Sequence, residues 1–222
     1  MKRRQEIKIE VRIYYKTLDH FIYAGRDLDA MSAQFERMTG VAPGRGGRHP
    51  GLGTHNALAS LGRDVYFELL AVDPTQKDNL DGTMGGRIEV LPSPRLFAYM
   101  LKGQDLAEQQ KVLATHGITA DLFDASRTTP DGRTLKWRLL VPQANPLGDF
   151  VPKFIDWLDT PHPSTTSKSG CTYESFEIGH PDSERLRGLL TALGANIPIV
   201  TSDRAHFRLC IGSPKGKVTF VS

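Results

Sequence analysis

The sequence has little cysteine, no long apolar run and no cluster of basic residues. Its 222 residues include two cysteines, too few for the disulfide framework of a small secreted domain, so both thiols are expected to be reduced. No apolar run approaches the ~18 residues of a membrane span, and the N-terminus lacks the apolar core of a signal peptide. Basic residues are scattered, which disfavours nucleic-acid binding. We therefore expect a cytoplasmic protein that binds neither membrane nor nucleic acid.

Three helical segments recur along the chain with similar ends. Each begins after an aspartate that is suited to capping the first turn and ends at a glycine suited to a left-handed C-terminal position. Each follows one strand-like run and precedes three more. The capping aspartates are Asp27, Asp105 and Asp182, and the closing glycines are Gly40, Gly117 and Gly194.

This recurrence predicts an α+β fold in which a βαβββ module is used three times. The third βαβββ-like module would occupy residues 171–222, after a linker rich in Pro, Ser and Thr. An ordinary α+β domain with similar-looking helices is the alternative. An alternating apolar run at residues 7–13 is compatible with one more edge strand.

A glycine-rich loop and the hairpin after it carry the strongest functional signal. In the second strand of the hairpin Tyr66, Glu68 and Leu70 share one face, because side chains alternate along a strand. A lone carboxylate in an apolar row is costly unless it is paired or bound to a metal. The candidate partners are the nearby histidines or an arginine of the loop, namely His20, His49, His55 and Arg48.

Several short motifs resemble one known family. The chain has Leu-Asp-His at 18–20, Gly-Gly-Arg-His-Pro-Gly at 46–51, Gly-Thr-His-Asn at 53–56 and Tyr-Phe-Glu-Leu at 66–69, and later Phe-Ile-Asp-Trp at 154–157 and Pro-His-Pro at 161–163. Together they resemble the glyoxalase-like branch of the vicinal oxygen chelate superfamily. The resemblance implies that the two modules over residues 18–163 pair and that their curved mixed sheet forms a cup. The active site would lie on its concave face, where a divalent metal chelates two neighbouring substrate oxygens.

The resemblance implies metal ligands on the first and fourth strands of each module. In the first module these positions fall on His20 and Glu68, which suit Zn, Fe, Mn, Ni or Co. In the second module the first-strand position falls on or near Ala98, which cannot ligate, and the fourth-strand candidate is Asp156, with an alignment uncertain by one residue. His55 is a further candidate, either as an additional ligand or as the catalytic acid or base.

Substrate-binding candidates lie in the glycine-rich loop and the strand that follows. Arg48 could clamp an anionic group, and His49 stands beside it at the expected rim of the cup. His55 and Asn56 alternate, so at most one of them faces the cup. The alternative is a loop that simply turns between two strands.

Two functions are compatible with these residues. One is a metal-dependent lyase, isomerase or dioxygenase acting on a small oxygen-rich molecule. The other is a metal-free protein that binds a small molecule in the same cup, as antibiotic-sequestering members of the superfamily do, and a structural or regulatory role is a weaker third. The third module has an apolar face and no internal partner module. It is expected either to pack on the back of the first pair or to pair with its copy in a second chain, and the homodimer is favoured.

Overall fold

Eight strands form a closed barrel built from two halves of the chain. The computed structural model describes residues 17–62, 64–76, 78, 80–129 and 131–222, so the alternating run at 7–13 lies outside the described residues. The strand order is β1-β4-β3-β2-β6-β7-β8-β5. The first half contains β1 (Leu18–Gly25), α1 (Leu28–Thr39), β2 (Gly44–His49), β3 (Thr54–Ser60) and β4 (Tyr66–Val72). After the short helix α2 (Met84–Glu89), the second half contains β5 (Arg95–Lys102), α3 (Leu106–Thr115), β6 (Ala120–Thr128), β7 (Thr134–Pro142) and β8 (Lys153–Asp156).

The predicted helix ends are confirmed. The carboxylates of Asp27 and Asp105 each accept a backbone N–H three residues later, and that of Asp182 does the same for α4 (Ser183–Ala192). These bonds satisfy N–H groups that have no partner inside the helix. Gly40 closes α1 in a left-handed conformation with φ 79°. Local capping chemistry thus positions each helix against its strands.

The barrel wall separates two apolar clusters. On β1, Phe21 points outward into the larger cluster and Ile22 points into the barrel. Both faces of β1 and β4 are covered, which is why nearly every residue of these strands is buried. The outer cluster includes residues of α1, α3 and α4, and the inner one includes Met100, Trp137 and Ile88 of α2. The fold is therefore mixed α and β around a closed, curved sheet, as predicted.

A separate four-stranded sheet follows the barrel and packs on its outside. It contains β9 (Thr172–His180), β10 (Ile199–Thr201), β11 (His206–Ser213) and β12 (Gly216–Val221). Its strand order is β10-β9-β11-β12, which differs from the β1-β4-β3-β2 order of the barrel half. The element order β-α-β-β-β thus recurs a third time, with a different arrangement of strands in space.

Aromatic side chains join this outer sheet to the barrel. The rings of Phe67 and Phe220 lie 4.7 Å apart, and those of Phe21 and Phe176 lie 4.8 Å apart. The segment before the outer sheet is also held, because the Ser60 N–H donates to the carbonyl of Lys168 at 2.8 Å. The unit thus packs on the barrel within the chain, which was the alternative to pairing with a second copy. A homodimer remains a prediction, but this reason for it is removed.

Among the described helices none is long and apolar enough to span a membrane.

The aromatic contact between the two sheets should contribute strongly to stability. We expect Phe220→Ala to lower the free energy of unfolding by about 3–5 kcal/mol, the usual cost of removing a buried phenylalanine ring. Val221→Ala is the matched control, because Val221 is 51% exposed and should change stability by less than about 0.5 kcal/mol. Urea unfolding measures both variants. Equal stability of the two would show that the outer sheet does not depend on this contact.

Candidate functional site

Glycine allows the two halves of the barrel to meet near the site. Strands β2 and β6 pair at Arg48 and Thr128. A Cβ at Gly46 would collide with the side chains of Asn56 and Arg127. The glycine-rich segment is therefore more than a turn: it forms strand β2. The absence of a side chain at Gly46 makes room for a polar contact inside the barrel.

The barrel encloses a cavity of about 720 Å³, large enough for a drug-sized molecule. One part of its wall is apolar and rich in aromatic residues, including Phe123, Trp137 and Trp157. The other part is charged. Three cations face the cavity together with two carboxylates: Arg87, Arg127, Lys153, Glu68 and Asp149. Histidines aside, the lining therefore carries an excess of positive charge.

Glu68 is buried in this cavity and has two side-chain partners. Its Oε1 accepts a hydrogen bond from Asn56 Nδ2 at 2.5 Å, and its Oε2 lies 3.5 Å from His20 Nε2. Burial opposes the charge of Glu68. The hydrogen bond and positive charge of His20 outweigh burial, and the pKa of Glu68 falls to about 2. The predicted pairing of His20 with Glu68 is present in the structure.

His20 is clamped from the opposite side by Asp19. The Nδ1 of His20 lies 2.6 Å from Asp19 Oδ1, and the ring stacks on Tyr66 with centroids 4.3 Å apart. Burial disfavours the imidazolium, but hydrogen bonds to Asp19 and Glu68 raise the pKa of His20 to about 9. His20 therefore carries a proton on each ring nitrogen at neutral pH and can donate from Nε2.

Asp19 is fully buried at a register shift between β1 and β5. Besides His20 it binds two donors from the chain after β8. Trp157 Nε1 donates to its carboxylate at 3.2 and 3.3 Å, and His162 Nε2 lies 3.1 Å from its Oδ2. Burial opposes ionisation of Asp19, but its bonds to His162 and His20 hold its pKa below the ordinary value. His162 thus has a structural contact that the sequence did not indicate.

Asn56 links three functional side chains. Its Nδ2 serves Glu68 and lies 3.4 Å from His49 Nε2, while its Oδ1 accepts from Arg127 Nη1 at 3.2 Å. His49 is buried, with its Nδ1 2.9 Å from Thr54 Oγ1. Burial lowers the pKa of His49 to about 4, so its ring is neutral at neutral pH. His49 was expected at the rim and instead lies inside the barrel.

Arg127 is buried at 5% exposure, yet no carboxylate of the described chain lies within ion-pair distance of it. Its Nε has no hydrogen-bond partner among the described residues. Burial lowers the pKa of Arg127 from its ordinary value, although a guanidinium remains protonated. A buried cation without a counter-ion is costly. Arg127 is therefore the side chain in the cavity that most needs a ligand.

Lys153 and Arg87 share one carboxylate at another part of the wall. Asp149 makes two hydrogen bonds with Arg87 Nη2, at 2.7 and 2.8 Å. Lys153 Nζ lies 3.7 Å from Asp149 Oδ1, and its side chain is 6% exposed. Two cations thus share one anion, which leaves positive charge available to a ligand.

Three of the predicted site residues, Arg48, His55 and Asp156, do not face the cavity. Arg48 points away and binds Asp73, at 3.3 Å, and Thr75. His55 lies on the outer face of β3, because its neighbours Thr54 and Asn56 point inward. The strand alternation that brings Asn56 into the cavity thus keeps His55 out.

Asp156, the third of these residues, was expected inside the barrel and lies on its exterior. Its Oδ2 pairs with Arg138 Nη2 at 2.7 Å on the exterior of the barrel. Ile155 faces the cavity in its place, so the alignment was one residue out. A shift of one residue along a strand moves each side chain to the opposite face, so β8 carries Asp156 on the exterior.

The side chains present do not fit a divalent metal. Such a site usually takes at least three protein donors. His20 and Glu68 face each other, but no group of three His, Cys, Asp or Glu side chains that could hold a metal occurs among the described residues. Lys153 contributes an ammonium instead of a ligand. The predicted metal set of His20, Glu68 and Asp156 is therefore not assembled.

Four charged cavity residues were missed, namely Arg87, Arg127, Asp149 and Lys153, and Arg127 had a readable signal. On β6, Phe123 and Arg127 both face the cavity, and their even spacing puts a charge in a partly apolar row, as with Glu68. The sequence around Lys153 gives no comparable signal. Its neighbours Pro152 and Phe154 do not indicate whether Lys153 faces the cavity or the exterior of the barrel.

The chain belongs to the glyoxalase-like domain family, whose model matches residues 18–194. This match confirms the resemblance to the glyoxalase-like branch of the vicinal oxygen chelate superfamily. It covers the barrel and continues through β9 and α4. A comparison with curated protein sequences finds no match.

Solved structures share the fold at low sequence identity. A hypothetical protein from Staphylococcus aureus is 19% identical, with a TM-score of 0.61 over 92% of this chain and 84% of that one. A mutant of 4-hydroxymandelate synthase from Streptomyces coelicolor is 10% identical, with a TM-score of 0.51 over 93% of this chain and 62% of that one. A methylmalonyl-CoA epimerase complex is 16% identical, with a TM-score of 0.48 over 67% of this chain and 99% of that one.

The two cavity histidines should titrate far apart. We expect the imidazole of His20 to lose its proton near pH 9 and that of His49 to stay neutral down to about pH 4. The raised pKa of His20 stabilises the fold fully below pH 6.5, and this contribution disappears as the pH rises through about 9. NMR titration of the ring carbons measures both. Asp19→Asn should lower the pKa of His20, and two histidines titrating together near 6.5 would contradict the described hydrogen bonds.

Proposed function

We propose that the barrel interior binds a small organic anion with an oxygen-rich head and an apolar end, and that His20 and Glu68 catalyse proton transfer on it. The observation that carries this proposal is the buried guanidinium of Arg127, which has no ion-pair partner in the described chain. A ligand carboxylate would supply the missing charge to the guanidinium. The aromatic wall would hold the other end of the ligand.

The His20–Glu68 pair supports acid–base chemistry beside that anion. In the proposed step the Glu68 carboxylate takes a proton from a carbon next to a carbonyl group. The electron pair moves to the carbonyl oxygen, where His20 Nε2–H donates a hydrogen bond or the proton itself. Reprotonation of the carbon on its opposite face gives an isomerase, and loss of a leaving group from the adjacent carbon gives a lyase.

Asp19 and Asn56 have supporting roles in this proposal. Asp19, 2.6 Å from Nδ1, holds the His20 ring so that Nε2 points into the cavity. Glu68 is a weak base while His20 donates to it. When His20 turns its hydrogen bond to the substrate oxygen, Glu68 loses its strongest stabilising contact and becomes more basic. Asn56 keeps the carboxylate oriented throughout.

Binding without catalysis is the second candidate. It is favoured by the extent of the aromatic wall, and by the contacts of both Glu68 oxygens with protein side chains, Asn56 and His20. A protein of this kind would hold a ligand at one site per chain and leave its carbon-bound hydrogens unexchanged.

Ligand binding should depend on Arg127. We expect 2-oxo acids with alkyl or aromatic ends to raise the melting temperature of the protein, with phenylpyruvate more effective than pyruvate because its ring reaches the apolar wall. Arg127→Gln should weaken binding by about 2–5 kcal/mol, the cost of removing one partner of a buried charge pair. Arg138→Gln is the matched control, because Arg138 pairs outside the barrel. Equal binding by the two variants would refute the anion site.

Proton transfer should depend on Glu68. In D2O the protein should speed deuterium incorporation next to the carbonyl of a bound 2-oxo acid, as followed by proton NMR. Glu68→Gln should reduce this rate by about 10²–10⁴-fold, the usual contribution of a positioned acid or base. Glu174→Gln, on the outer sheet, is the control. Tight binding without any exchange in the wild-type protein would select the binding role.

A further inference from the structure

The two halves of the barrel meet at β1 and β5 with matching neighbours. Ile22 on β1 pairs with Glu68 on β4 at one side and with Ala98 on β5 at the other. All three strands are in register, and Ile22 and Glu68 both face the cavity. Ile22 thus stands between a carboxylate from its own half and a methyl group from the other half.

Met100 on β5 has the complementary neighbours. It pairs with Lys153 on β8 at one side and with His20 on β1 at the other. Exchanging the two halves of the barrel therefore maps His20 onto Ala98 and Glu68 onto Lys153. The half that was expected to complete a metal site offers a methyl group and an ammonium at those two positions.

We propose that Lys153 takes the place of a metal ligand and supplies the positive charge itself, so that the cavity binds an organic anion without a divalent cation. A metal ion between Glu68 and Lys153 would be repelled by the ammonium. An anionic ligand there is attracted by it. This inference deepens the proposed function, because it names the group that faces the ligand opposite His20.

The dimensions of the sheet support this arrangement. His20, Met100 and Lys153 lie in register on three neighbouring strands, which places His20 and Lys153 about 10 Å apart at their Cα atoms. A ligand of a few heavy atoms spans the space between two side chains that project inward from such positions. Lys153 is free to serve it, because its contact to Asp149 is long at 3.7 Å and that carboxylate already binds Arg87.

Cobalt(II) absorbance tests the claim without any substrate. The wild-type protein should show no stoichiometric Co²⁺ binding in the visible spectrum. The double variant Ala98→His, Lys153→Glu restores two donors opposite His20 and Glu68 and should gain a one-to-one Co²⁺ complex. Two results would overturn the inference: wild-type protein that binds one Co²⁺ and loses it on His20→Ala, or a folded double variant that binds none.

Lys153→Met provides an independent test if the double variant does not fold. Methionine keeps the length of the side chain and removes the charge, so phenylpyruvate affinity measured by calorimetry should fall about tenfold or more. Lys136→Met, at an exposed position on β7, is the control. Unchanged affinity of Lys153→Met would overturn the role of Lys153. Failure of the wild-type protein to bind any 2-oxo acid would instead refute the proposed anion site and leave the cobalt result standing.

Discussion

Burial of the Glu68 carboxylate inside the barrel is the constraint on which the site depends. An ionised carboxylate among apolar neighbours must be compensated, and here His20 and Asn56 do so. His20 then needs Asp19 to hold its second nitrogen. Asn56 in turn brings in Arg127 through its carbonyl oxygen. One buried charge thus organises a hydrogen-bonded group that spans both halves of the barrel.

The balance of charge decides what this group can bind. A divalent metal usually takes at least three protein donors, and no such group occurs among the described residues, where His20 faces Glu68. The second half of the barrel supplies Arg127 and Lys153, whose charges are under-compensated in the described structure. Under the proposed function this positive charge attracts an anionic ligand. The chemistry follows from the side chains and not from the fold.

The sequence predicted the fold and half of the site. The capping aspartates and closing glycines located the helices because those signals are local. Glu68 was recognised because a charge in an apolar row is visible in one strand. Asp156 was misplaced because the alignment was one residue out, and such a shift moves every side chain to the other face, so Ile155 faces the cavity. The position of the outer sheet could not be predicted from the sequence, because its aromatic contacts with the barrel join residues far apart in the chain.

A crystal structure with a bound 2-oxo acid would test the central claim most directly. The account predicts a carboxylate of the ligand within hydrogen-bond distance of Arg127, its carbonyl oxygen facing His20 Nε2, and its apolar end against Trp137. Anomalous diffraction from the same crystals would show no transition metal between His20 and Glu68. A metal ion bound by those two residues, or a ligand bound outside the barrel, would contradict the account.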